Sequence, residues 1–196
     1  MDLRKITDFL LEIEKLKHVE RRIYVSGYKR RETTPEHVWH MCMYVLLLEK
    51  KSSLKADLLK CLKMILIHDL VEVYAGDASI WDSEATEGKK EREEQAATKL
   101  FGMLPDNLKN EFMELWLEFE ECKTNEANLA KTIDGLQALG QQISSGGKVW
   151  KEQNVTEKMI KEKARGYMKD ESLNIIWEEF LKRAGEEGMF ARERSL

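Results

Sequence analysis

Proline is almost absent: the 196-residue chain holds two, Pro35 and Pro105. Few alternating apolar–polar runs occur either, so little in the sequence points to half-buried strands. Cysteine is scarce and odd in number. Cys42, Cys61 and Cys122 show no CxxC spacing, which argues against a disulfide framework and for buried free thiols in a reducing cytoplasm. A chain of this length buries roughly 70% of the surface its unfolded form exposes, so it needs no covalent or structural-metal staple. Positive charge is not in excess. The net charge of −4 argues against general nucleic-acid binding while leaving room for a local basic site. Long hydrophobic runs are missing as well. The opening MDLRKITDFLLEIEKLK is amphipathic and charged throughout, unlike a signal peptide or a membrane span. The expectation is a cytoplasmic protein with no membrane partner.

What is present is helical periodicity. Ile6, Phe9, Leu10, Ile13 and Leu16 predict a helix over about 5–17. Thr34-Pro35 starts a second, with threonine at the N-cap and proline at the first helical position. It turns Val38, Met41, Val45 and Leu48 inward and ends near 51. A third runs from about 55 to 73, Gly76-Asp77 breaks it, and 78–88 reads as a loop. A charged helix follows Gly88, another opens at Pro105 and runs to about 121, and a further one spans about 126–143. SSGGK is a breaker. Two C-terminal helices follow, at about 156–168 and 170–184, and GEEGMFARERSL reads as a frayed end. No repeat or linker divides the chain. The expected architecture is an all-α, single-domain helical bundle over 1–196, with its core in about 5–145.

Some polar residues break these helical faces. Of four histidines, His37 lies in the first turn of the second helix and His68 late in the third, beside Asp69. Asp134 interrupts the apolar stripe Leu129, Ile133, Leu136, Leu139. Charged groups are rarely buried without a partner. Each of these residues alone is more simply a hydrogen-bonded core group. Together they bring imidazole nitrogen and carboxylate oxygen from three helices. That donor set suits one divalent ion such as manganese, iron, cobalt, nickel or zinc. His40, three residues after His37, shares its face and reads as structural or supporting.

The combination resembles the HD-domain metal-dependent phosphohydrolases. Their pattern of a His, a His-Asp pair and a distal Asp matches His37 in PEHVWHM, His68-Asp69 in LIHDLVEVYAGD and Asp134 in AKTIDGLQAL. The 5′-deoxynucleotidase branch looks most similar, through Glu72 and Asp77 after the pair. The likeness covers about 5–145. It implies an HD-type bundle in which His37, His68, Asp69 and Asp134 hold one divalent metal, magnesium among the options. It also implies a phosphomonoesterase acting on (deoxy)nucleoside 5′-monophosphates, and a homodimer, as many relatives form. Glu72 would accept or orient a proton of the attacking water. Asp77, on a bend after Gly76, would serve either the leaving oxygen or a sugar hydroxyl.

Upstream, RRIYVSGYKRR reads as a bent basic loop able to present guanidinium groups to a phosphate. In the resembled branch an Arg-Trp pair here contacts the nucleotide. Arg22 matches the arginine and Ile23 replaces the tryptophan. The aromatic residue helps exclude a 2′-hydroxyl, so Ile23 calls the preference for deoxyribose into question, with Tyr24 or Tyr28 as alternative rings. Trp39 and Trp116 read as core. Trp81 reads as either pocket lining or core edge. GKKEREE reads as a solvated face. Two other outcomes stand beside the nucleotidase: hydrolysis of another small phosphate or phosphonate, and a non-catalytic sensor binding nucleotide or metal.

Overall fold

The computed structural model describes residues 2–78 and 87–191. Among these, the helices follow the apolar periodicity, and most ends have a local cause. Helix α1 (Leu3–Glu12) starts at Asp2, whose carboxylate accepts the Lys5 N–H at 3.5 Å, and tightens into a 3₁₀ turn over Ile13–His18. Helix α2 (Thr34–Leu48) is capped one residue earlier than expected, by Thr33. Glu36 Oε2 accepts the Thr33 N–H at 2.9 Å as part of a capping box, which releases the Thr34 side chain for another role. Hydrogen bonds from Arg30 are the main cause of the low pKa of Glu36, about 2.

The third helix departs from expectation. Helix α3 (Leu58–Ile67), capped by Asp57, stops at His68. The next bonds shorten to i→i−3, as in Leu70 N–H to Ile67 O at 3.1 Å and Glu72 N–H to Asp69 O at 3.0 Å. A one-turn helix α4 (Glu72–Ala75) then ends at Gly76, whose φ of +71° suits glycine. Helices α5 (Lys89–Phe101), α6 (Asp106–Glu121) and α7 (Asn125–Ser144) lie close to their expected bounds. A short α8 (Lys148–Glu152), not anticipated, follows directly on the SSGGK breaker. Helices α9 (Glu157–Ala164) and α10 (Asn174–Glu186) complete the order. The end of the described chain is packed rather than frayed: Met189 is buried, and the Ala191 N–H donates to Val155 O at 3.0 Å.

The basic stretch is a hairpin, not a bent loop. Strands β1 (Glu20–Tyr24) and β2 (Arg31–Thr33) pair antiparallel, with Glu20 opposite Thr33 and Tyr24 opposite Arg31. The Tyr24 ring lies between two cations, with the Arg31 guanidinium 3.7 Å and the Lys148 ammonium 3.9 Å from its centre. That contact ties the hairpin to α8.

Helix α7 is the central element and packs against α2, α3, α6 and α10. It buries Leu129, Ile133, Leu136 and Leu139. Asp170, itself buried, accepts from the Ser52 hydroxyl, from the Ser53 backbone N–H (3.2 Å) and hydroxyl (2.7 Å), and from the Ser172 N–H (2.9 Å). It thereby clamps the C-terminal segment to the α2–α3 connection. Two expectations about packing fail. Trp39 is 65% exposed, because one residue past buried Val38 the helix has turned it out of the core. Only Cys61 of the three free cysteines is fully buried. Among the described residues, no helix is long and apolar enough to cross a membrane.

Candidate active site

The break after α3 explains how adjacent residues reach one point. Neighbours in a continuous helix diverge by about 100°. The tighter turn at 68–71 instead sets the His68 Nε2 and Asp69 Oδ2 atoms 3.1 Å apart. His37, from the first turn of α2, is fully buried with Nε2 3.8 Å from Asp69 Oδ2. Ligand atoms of His37, His68 and Asp69 all lie within 4.8 Å of one another. Asp134, on α7, approaches through His37, at 3.2 Å from Nε2 to Oδ1.

The outer nitrogen of each imidazole is tied down. His68 Nδ1 lies 2.8 Å from Ile65 O, an acceptor, so the proton sits on Nδ1 and the Nε2 lone pair faces the cluster. His37 Nδ1 lies 2.5 Å from Gln137 Oε1. The amide orientation follows from its other end, where Gln137 Nε2 donates to Glu32 Oε1 at 2.9 Å and sits 3.2 Å from His40 Nδ1. A carboxylate accepts only, so Gln137 presents its oxygen to His37, and His37 is protonated on Nδ1. His40 thus supports His37 through Gln137.

His37 Nε2 is consequently a buried lone pair with no hydrogen-bond partner, facing two carboxylates. That arrangement is repulsive unless a cation or a proton occupies it, so the residues fit a divalent metal. Protonation tracks the same field. Burial opposes charge on His68, yet Asp69 outweighs it and raises the pKa. Burial likewise works against the Asp69 carboxylate, but His68, then His37 and Arg21, hold it far below the usual range.

The sequence points to Arg21 only as one of several basic residues able to face a phosphate and not at all to Glu32, yet the hairpin register brings the two together beneath this cluster. The Arg21 guanidinium lies 3.3 Å from Glu32 Oε2 and 3.4 Å from Asp69 Oδ2. Burial disfavours its charge, but the neighbouring carboxylates raise its pKa. Arg21 Nε and Glu32 Oε2 share no well-aligned hydrogen bond, so their contact is one of charge.

A cavity of about 280 Å³ opens from the cluster, near the lower end of the usual ligand-pocket range. His68, Asp69, Glu72, Asp77 and Asp134 line it, as do Arg22 and Ile23 from β1. Glu72 is buried, and the Thr34 hydroxyl donates to its Oε2 at 2.7 Å. Burial, reinforced by Asp69 and Asp77, raises its pKa well above the usual value. Asp77 Oδ2 accepts the Arg22 backbone N–H at 3.2 Å, which joins the bend after Gly76 to the hairpin.

Other expectations need correction here. Lys89 and Glu93, read as part of a solvated face, line the cavity, whereas Trp116 lies in the core as expected and also borders it. Trp81 lies outside the described residues. The C-terminal third supplies a whole wall through Val149, Trp150, Ile160 and Tyr167, none of them flagged by the sequence.

Comparison with known proteins places the chain in a family. The model of the HD domain family matches residues 13–176, and the chain belongs to that family. The 5′-deoxynucleotidase HDDC2 of Dictyostelium discoideum is 34% identical over 131 residues, covering 64% of this chain and 69% of that protein. The human 5′-deoxynucleotidase HDDC2 is 32% identical over 132 residues, covering 67% of this chain and 63% of that protein. The match therefore spans about two thirds of these relatives' lengths. The crystal structure of a predicted metal-dependent phosphohydrolase from Magnetospirillum magnetotacticum superposes with a TM-score of 0.88 at 32% identity, covering 97% of this chain and 98% of that one.

Proposed function

We propose that this chain, an HD-type hydrolase, removes the 5′-phosphate of (deoxy)nucleoside monophosphates, using one divalent ion held by His37, His68, Asp69 and Asp134. The carrying observation is the unpartnered, buried His37 Nε2 beside two carboxylates, at the head of a cavity that also receives Arg22, Glu72 and Asp77. The relatives named 5′-deoxynucleotidase support the substrate class. When bound, the ion supplies a Lewis acid that lowers the pKa of water and polarises a phosphoryl oxygen.

The chain's own groups do the rest. Arg22 grips the phosphate oxygens at the cavity wall. Burial and the Asp69 and Asp77 carboxylates raise the proton affinity of Glu72, so that in its ionised form it is a stronger base toward a proton of the attacking water. Asp77 Oδ2 is held by the Arg22 N–H at the cavity wall, where the carboxylate can accept from a sugar hydroxyl. One water is consumed, the bond from phosphorus to O5′ breaks, and nucleoside and inorganic phosphate leave.

The metal is manganese, cobalt, nickel, iron, zinc or magnesium, since the donor set accepts several. The test is phosphate release from metal-stripped protein, with each ion restored in turn, over 5′-, 3′- and 2′-nucleotides and p-nitrophenyl phosphate. Metal-dependent release from 5′-monophosphates, lost in Asp69→Ala and Glu72→Ala, is the expected result. Release that survives both substitutions would refute the assignment.

A homodimer is part of the same proposal, supported by an apolar stripe on α2. Trp39, Met43, Leu46 and Leu47 are 65%, 38%, 50% and 69% exposed. Sedimentation of the wild type and of Leu46→Glu tests it, with a monomeric wild type as the refuting outcome. The three free thiols support a cytoplasmic location.

A further inference from the structure

We propose that Gln142 is a specificity residue that pairs with the edge of a nucleobase in the far half of the cavity; this rests on the nucleotide reading above. Helix α7 carries Asp134 at the metal end. Ala138, Leu139 and Gln142 follow on the same cavity-lining stripe. Eight residues of helix set Gln142 roughly 12 Å from Asp134 along the axis. That is the direction in which a nucleotide anchored by its phosphate extends. Beyond Asp134 the lining includes the apolar Ala138, Leu139, Val149 and Ile160 and the ring of Trp150.

Gln142 is only 4% exposed, and its side-chain Oε1 is buried without a hydrogen-bond partner. A polar atom left unpaired in apolar surroundings is costly and rare in folded proteins. The feature that would relieve it is a flat, apolar ligand with a donor on its edge. Each nucleobase has such a shape and sets a ring or exocyclic N–H beside an acceptor. A glutamine amide sets its own acceptor beside its own donor and can pair with that edge in two bonds. The pocket thus matches a base-bearing monophosphate better than a bare sugar phosphate or an aliphatic one. Gln142 would hold the base and thereby align the phosphate.

The test compares wild type, Gln142→Leu and Gln142→Met as metal-loaded proteins on a deoxynucleoside 5′-monophosphate and on 2-deoxyribose 5-phosphate, which lacks the base. Loss of the pairing should raise KM for the nucleotide about fivefold with kcat little changed. KM for the base-free substrate should not move. Calorimetric titration with the phosphate-free deoxynucleoside should show the same fold loss. Melting temperature should not fall, since the substitutions remove an unpaired buried group. Equal effects on both substrates, no effect on either, or a lowered melting temperature with both activities reduced would each overturn the proposal and mark Gln142 as structural or water-bound. If wild type hydrolyses no nucleotide, the reading of function fails separately. The nucleoside titration then decides alone: binding weakened by the substitutions sustains the base pocket, and absent or unchanged binding ends it.

Discussion

Replacing Gln137 by leucine should weaken metal binding without touching any metal-facing atom. Gln137 accepts from His37 Nδ1 and donates to Glu32 Oε1, so it fixes both the tautomer and the plane of the imidazole. Loss of such a supporting partner typically costs about 10- to 100-fold in metal affinity, or ~1.4–2.7 kcal/mol. The substitution also strands a buried N–H on His37 and one oxygen of buried Glu32, together worth about 3 kcal/mol of folding stability. For a chain of this size that is a fall in melting temperature of roughly 6–12 °C. The measurement is competition against a chelator of known affinity, at a temperature where the variant is folded. A compensating pair sharpens it. Glu32→Gln with Gln137→Glu moves the charge one step along the same chain and should recover most of the lost affinity. A folded Gln137→Leu protein that binds metal as tightly as wild type would refute the tautomer argument.

Ile23→Trp, which restores a ring at the cavity wall, should lower turnover of ribonucleotides relative to deoxyribonucleotides; an unchanged ratio would show that position 23 does not read the sugar. Metal affinity should climb with pH until the raised pKa of His68 is passed, because below it a proton occupies the site and above it none competes; titrations at several pH values, flat through that window, would contradict this. Asp170→Ala should cost about 2–3 kcal/mol in denaturant unfolding, since the carboxylate satisfies Ser52, Ser53 and Ser172. Although burial pushes its pKa up, these bonds lower it overall. Its contribution is therefore complete above the unfolded-state pKa and fades as pH falls through the depressed folded value, so wild type and variant should converge in stability only in acid.

His37, His68, Asp69 and Asp134 could be picked out in the sequence for one reason: each is a polar group on an otherwise apolar helical face, where burial without a partner is improbable. Arg21 and Glu32 carried no such signal. Arg21 reads as one guanidinium of a basic loop aimed at a phosphate and Glu32 as its acidic neighbour, and the hairpin register instead pairs them inward. Gln137 and Gln142 look like ordinary helix-favouring residues until α2 and β2 surround the first and the cavity wall encloses the second. The break in α3 was hidden because apolar residues continue through it while the hydrogen bonds change from i→i−4 to i→i−3. Trp39 misled in the opposite direction, since a large aromatic next to a buried histidine suggests core, and helical geometry turns it outward.

The contact between Gly135 and Tyr167 bears on the order in which the enzyme is made. A Cβ at Gly135 would overlap the Tyr167 ring, so the residue beside Asp134 is kept bare to admit a side chain from beyond α9. On the ribosome the proposed metal ligands emerge well before that ring does. A nascent chain paused after α7 holds every proposed ligand yet lacks Val149, Trp150, Ile160 and Tyr167, which wall the cavity. On the proposed assignment, the ligands are thus made before the wall that bounds the substrate.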